Sequence, residues 1–466
     1  MSAPAFEVID SSAVRPPLRA GWLILWVLVA LLVASQLAEY IRREPGQGVP
    51  YAKENEELRM AVTVAEAENL FAATERTGGK VGAKKSESLS SLDGTISELA
   101  GKRKADPSAA LLYAAMRTEQ SYALAAEDVK ALFESKKQSD LAAAQVYVAK
   151  SLTPDGARSL ASQMNGSAFV WRLARIHAFE KAGDSQIRRR EIPAAKLLLF
   201  VAITGLLFAA VFLGGILLLL FAAGSRAGRI KPKGFPLGEL SAGDADRCAM
   251  RTAQLLLVFV ITGIGTALFL GSGTPQVVRV LAAGGIGLAL ALLLFLLPVG
   301  GKRISLSVVG LRSDRPILDV LWGLSGAFAN APLIVISIGL TVILQRFMPA
   351  AEHPISAELA RASSFWSAAG YLVSAAVLAP IFEEICFRGV LMPALASALR
   401  SPAWGIVVSS LVFAAVHPTG VPAWPGLAVI VATSGVLAYQ TRSLIPSIVM
   451  HAVHNGTLLL FYFSLA

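Results

Sequence analysis

The sequence predicts an all-α, polytopic membrane protein of about eight to nine transmembrane helices, with a mostly helical soluble insert near the N-terminus. Three observations predict it. Of the 466 residues, 55% are hydrophobic and only 16% charged, against roughly 25% charged in soluble domains. The apolar residues gather in runs close to the ~20 residues that cross a bilayer. One long stretch, 40–192, has no such run and a composition of its own. The net charge of +10 does not point to nucleic acid, because the basic residues mostly flank apolar runs, where they set topology. Two cysteines, Cys248 and Cys386, make no disulfide framework.

Residues 1–20 read as a cytoplasmic tail. Residues 21–38 (GWLILWVLVALLVASQLA) follow Arg15 and Arg19 and precede Arg42 and Arg43. They read as a spanning helix or uncleaved anchor, since no clean A-x-A cleavage site follows. Residues 40–192 are rich in Ala, Glu and Lys and are broken at Gly78, Gly79 and Pro107. Helical periodicity over 54–76, 108–135 and 137–150 predicts a small helical domain that carries no recognisable chemistry. Its one histidine, His177, reads as an ordinary surface or core residue. From 193 to 466 the chain reads as a membrane domain. Apolar runs return at about 194–223, 254–271, 277–299, 317–345, 366–382, 404–416, 426–440 and 444–463.

Arg226, Arg229, Lys231, Lys233, Arg247 and Arg251 crowd one short loop; Lys302, Arg303, Arg312 and Arg315 crowd another two spans later. Both are expected to face the cytoplasm, which places residues 40–192 outside. Arg188, Arg189 and Arg190 argue the other way, although long domains translocate largely regardless of charge.

Between Trp366 and Ala466 the formally charged residues are Glu383, Glu384, Arg388, Arg400 and Arg442. A carboxylate at membrane depth costs several kcal/mol unless it is paired or hydrated. The bland reading is that the acid pair ends a span at the interface. The spacing argues for more. Glu384 and Arg388 are i,i+4 and can pair on one helix face, while Glu383 points about 100° away. An unpaired, desolvated carboxyl suits a general base. Pro380, just upstream, removes a backbone hydrogen bond and leaves a carbonyl in need of a partner. Phe413 and His417, and His451 and Asn455, are two more i,i+4 pairs on later helices; His454 is offset from His451.

The strings EEICFR, FAAVH and HAVHN resemble, in order, the three motifs of the CPBP family of intramembrane glutamic endopeptidases, which includes CAAX prenyl proteases and bacteriocin-processing proteins. The resemblance covers about 366–463. It implies that Glu383 activates a water, that His417 helps to position it, and that His451 and Asn455 donate to the oxyanion. Glu384 and Arg388 would hold the motif helix, with Phe413 as support. It implies no metal and no cofactor.

Other readings remain open on the residues alone. Glu383, His417 and His451 could form a two-histidine, one-carboxylate zinc site, although H-E-x-x-H is absent. The same residues could serve a proton-coupled transporter, although no internal repeat is visible. A non-enzymatic scaffold is a third. The expected partners are membrane lipid and a membrane-associated or lipidated peptide substrate. The Ala-rich composition points to a bacterial inner (plasma) membrane.

Overall fold

The computed structural model describes residues 6–8, 20–42, 51–75, 87–166, 168–271, 273–348 and 365–465. Arg15, Arg19, Arg43, Gly78 and Gly79 lie outside these. The chain forms two compact units, Met1–Arg42 with Gly205–Leu459, and Arg43–Thr204 with Leu460–Ala466. The first begins with strand β1 (Phe6–Val8) and helix α1 (Ala20–Arg42).

The second unit is built from α2 (Ala52–Glu75), α3 (Glu87–Ser90), α4 (Asp93–Lys102), α5 (Pro107–Glu119), α6 (Lys130–Glu134), α7 (Gln138–Val148), α8 (Pro154–Gln163), α9 (Phe169–Lys181) and α10 (Ile187–Glu191). Asp106-Pro107 and Thr153-Pro154 start α5 and α8. In each, the acid or hydroxyl accepts a backbone N–H and proline occupies a first-turn position whose N–H has no helical partner. The helix expected over 108–135 is split, because Ser121 turns left-handed at φ 63° after Gln120 ends α5. Alanines 109, 110, 114 and 115 are all fully buried with Leu111, Leu112 and Met116, so small side chains let α5 sit close to its neighbours. At the C-terminal end of α7, Lys181 Nζ donates to the carbonyls of Val146, Tyr147 and Ala149, groups a helix cannot satisfy itself. His177 is buried, with Nε2 2.7 Å from Glu119 Oε1. Arg188 holds Glu66, Glu119 and Glu180 around it.

The remaining helices are α11 (Ala194–Arg226), α12 (Ala242–Leu270), α13 (Gln276–Leu294), α14 (Pro316–Leu344), α15, α16 (Pro402–Val416), α17 (Trp424–Thr441) and α18 (Ile445–Ser464). Helix α15 runs through five joined pieces: Phe365–Val373, a π turn at Ser374–Leu378, Ala379–Glu384, a second π turn at Ile385–Leu391, and Met392–Ala398. Among the described residues, seven helices are long and apolar enough to cross a membrane, and α16 is a shorter apolar one. The protein is therefore an all-α polytopic membrane protein. Helix α12 begins twelve residues before its apolar run because Ser241 caps its N-terminus by accepting from Asp244 N–H. Helix α15 continues past the acid pair that closes its apolar run.

Strand β1 pairs antiparallel with β2 (Lys302–Ile304), Glu7 opposite Arg303, and Lys302 Nζ lies 3.2 Å from Asp244 Oδ1. The N-terminal strand and the two basic loops thus share one end of this unit. At that end Gly310, at φ 103°, accepts from Leu444 N–H at 2.7 Å. Helices α15 and α16 touch at Gly405, where an added Cβ would lie 2.6 Å from Ala396 Cβ. That close crossing brings the end of α16 to the middle of α15.

Candidate active site

The acid pair sits in the Ala379–Glu384 piece of α15, between the two π turns. Such turns insert an extra residue into the helical repeat and recur at functional sites. The first turn leaves a specific gap. Ala379 N–H donates to Ser374 O, so the next bond in that i→i+5 pattern would run from residue 380 to Ala375 O. Residue 380 is proline and has no N–H. Asn455 Nδ2, from α18, donates to Ala375 O at 2.8 Å instead.

Glu384 is fully buried and Arg388 nearly so. Arg388 Nε lies 3.3 Å from Glu384 Oε2, an ion pair without hydrogen-bonding alignment, and Arg388 Nη1 and Nη2 have no hydrogen-bond partner among the described residues. The guanidinium sits over the Phe413 ring at 5.1 Å. Phe413 also stacks on His417, with centroids 4.1 Å apart, and meets Phe387 and His451 edge-on. The other Glu384 oxygen, Oε1, is 2.9 Å from His451 Nδ1.

Glu383 faces the two histidines. His417 Nε2 lies 3.8 Å from its Oε1 and His451 Nε2 lies 3.6 Å from its Oε2. His417 occupies the C-cap of α16, with ψ 130°, so the chain leaves the helix there. Its Nδ1 is 2.7 Å from Phe413 O. A backbone carbonyl only accepts, so His417 donates from Nδ1 and turns its Nε2 toward Glu383. His451 Nδ1 likewise lies against Glu384 Oε1, turning its Nε2 to the same place. Gaps of 3.6 and 3.8 Å exceed a direct hydrogen bond and suit a bridging water. Exposure grades across the cluster: 25% for the His417 side chain and 14% for Glu383, against 5% for His451 and none for Glu384.

The structure thus brings together Glu383, Glu384, Arg388, Phe413, His417 and His451, and places Asn455 on the adjoining backbone of α15. Two features have no signal in local spacing. One is the Glu384–His451 bond, which joins residues 67 apart. The other is Gln36 of α1, whose Nε2 donates to Val416 O at 2.8 Å, one of the terminal carbonyls that α16 leaves open next to His417. Cys386 is buried beside the acids and makes no bond to the cluster among those described.

These helices enclose a polar, partly open cluster within a membrane protein, an arrangement suited to hydrolytic chemistry. Residues 365–457, about a fifth of the chain, match the Rce1-like family, type II CAAX prenyl endopeptidases. The likeness is confined to this segment, which carries all three motif strings and supports a CAAX-type (CPBP) protease reading for it. Comparison with curated proteins and with solved structures gave no significant match.

Proposed function

We propose that the protein is a glutamic endopeptidase that hydrolyses a membrane-associated or lipidated peptide, with Glu383 as the base. The observation that carries this reading is the convergence of Glu383 with the Nε2 atoms of His417 and His451, at 3.8 and 3.6 Å. A water held there donates one hydrogen to Glu383 and the other to the His417 Nε2 lone pair. Its oxygen attacks the scissile carbonyl carbon as the proton passes to Glu383. The Glu384 carboxyl against His451 Nδ1 holds the ring with Nε2 toward the developing oxyanion, which that nitrogen serves as a donor. The second Asn455 N–H, the one not spent on Ala375 O, completes that cradle. Collapse of the tetrahedral intermediate breaks the C–N bond, and the amine leaves with the proton stored on Glu383. Preorganised donors of this kind each contribute about 10²–10³ in rate.

We place the activity in a bacterial inner membrane. The test is comparative proteomics of membranes containing wild type or Glu383→Gln. Neo-termini seen with wild type and missing from the variant identify substrate and cut site; identical termini would refute the reading.

One observation also favours a zinc-dependent mechanism: both histidines anchor Nδ1 and aim Nε2 at a carboxylate, as zinc-bound histidines do. Among the described residues, however, no group of three or more His, Cys, Asp or Glu is spaced to hold a metal ion. Activity that survives stringent chelation would remove this alternative.

A further inference from the structure

Helices α11 and α14 cross at Gly214, where an added Cβ would collide with Phe328 O. Along α11 from this crossing a cavity of about 930 Å³ opens between α11, α14 and α17, the size of a ligand site. Phe221, Trp322, Leu333 and Val436 are among its walls. None of Glu383, Glu384, Arg388, His417, His451 or Asn455 lines it, so it is separate from the acid–histidine cluster.

One end of this groove is different in character. Ile230 and Gln440 line it, and the loop carrying Ile230 is strapped to the end of α17 by Gly234 N–H donating to Tyr439 O at 3.1 Å. Around Ile230 stand Arg226, Arg229, Lys231 and Lys233, all exposed. The stretch 224–238 contains no acid. Gln440 Oε1 is buried with no hydrogen-bond partner. The groove thus ends at a loop that carries four exposed cations in sequence around Ile230, beside an unused acceptor.

We infer that this groove is a binding site for an anionic phospholipid, with its acyl chains along Trp322 and Phe221 and its phosphate at the Arg229–Lys231 collar. A headgroup hydroxyl, as in phosphatidylglycerol, supplies the donor that Gln440 Oε1 lacks. Apolar walls alone would take any lipid chain; the charge at one end selects the headgroup, since basic residues at a membrane surface favour anionic lipids.

The test uses the full chain in neutral detergent, titrated with brominated-chain phosphatidylglycerol or phosphatidylcholine. Bromine quenches a tryptophan it touches, and the part of the quenching absent from Trp322→Phe reports the groove. Phosphatidylglycerol is expected to half-quench Trp322 at a concentration at least tenfold below phosphatidylcholine. Arg229→Gln with Lys231→Gln, both exposed, should weaken phosphatidylglycerol about thirtyfold and leave phosphatidylcholine unchanged. Native mass spectrometry of the delipidated chain gives an independent readout, a retained phosphatidylglycerol adduct that the double variant loses. Equal affinity for the two lipids overturns the inference. So does a preference that survives the double variant, or quenching that Trp322→Phe does not alter.

Discussion

Glu383 and Glu384 are adjacent and chemically identical, yet an isosteric Gln should act on them in opposite ways. Glu384 is wholly buried, 3.3 Å from Arg388 Nε and 2.9 Å from His451 Nδ1. Removing one partner of a buried ion pair leaves the other charge uncompensated and costs about 3–5 kcal/mol. The His451 bond, charge-assisted, is worth about 1.5–3 kcal/mol and overlaps with that figure, so Glu384→Gln should lose about 3–5 kcal/mol. Glu383 is 14% exposed and its nearest histidine nitrogens are 3.6 and 3.8 Å away, so Glu383→Gln strands no close ion-pair partner and should cost clearly less stability than Glu384→Gln while abolishing hydrolysis. The assay is reversible unfolding of the full chain in detergent, run beside cleavage of the substrate that proteomics identifies. A third variant sharpens it. Glu384→Gln combined with Arg388→Met removes both charges and should recover most of the lost stability. If the two single variants lose equal stability, or Glu384→Gln is as stable as wild type, the division into a reactive and a structural acid is wrong.

Three further outcomes are expected. Gln36→Met keeps the side-chain length but leaves the half-buried Val416 O without its donor; kcat should fall, by up to about tenfold, with KM unchanged, since an unsatisfied acceptor costs about 1 kcal/mol or more. Asn455→Ala should destabilise the chain by leaving Ala375 O open, and Pro380→Ala, which restores an N–H in that turn, should recover about 1 kcal/mol in a double-mutant cycle. In the second unit, burial pushes the Glu119 carboxyl up from 4.5, but His177 and Arg188 outweigh it and hold it at about 2. A depressed carboxyl stabilises the fold above its unfolded value and loses that contribution as pH falls through its folded one. The protection factors of α5 and α9 amides, after correction for intrinsic exchange, should therefore fall between pH 4.5 and 2 in wild type, and Glu119→Gln should lose that pH dependence.

Much of the architecture was legible in the sequence because lipid imposes a simple rule: a spanning segment must satisfy its own backbone and present apolar side chains. That rule pointed to an all-α polytopic membrane protein. It erred where polar residues extend a helix, as at Ala242–Met250, or where the helix runs on through charges, as at Glu383–Arg388. In the first case a Ser241 cap stabilises the polar turns; in the second the charges compensate each other inside the protein, and hydropathy sees neither effect. The break at Ser121 was hidden because a single left-handed residue leaves the periodicity on both sides intact.

Spacing within one helix could propose that Glu384 and Arg388 face each other, since i,i+4 geometry is local. It could also foresee that Pro380 leaves a carbonyl open. Which residue fills that gap, which histidine nitrogen faces the acid, and that α1 reaches the end of α16 through Gln36 depend on contacts between residues 80, 67 and 380 apart. The sequence by itself determined the helices and the polar residues they carry into the membrane, because those follow from short-range solvation and periodicity. Only the tertiary structure decided their roles toward one another, because the Nδ1 partners and the burial of each acid are set by helices that meet across the bundle.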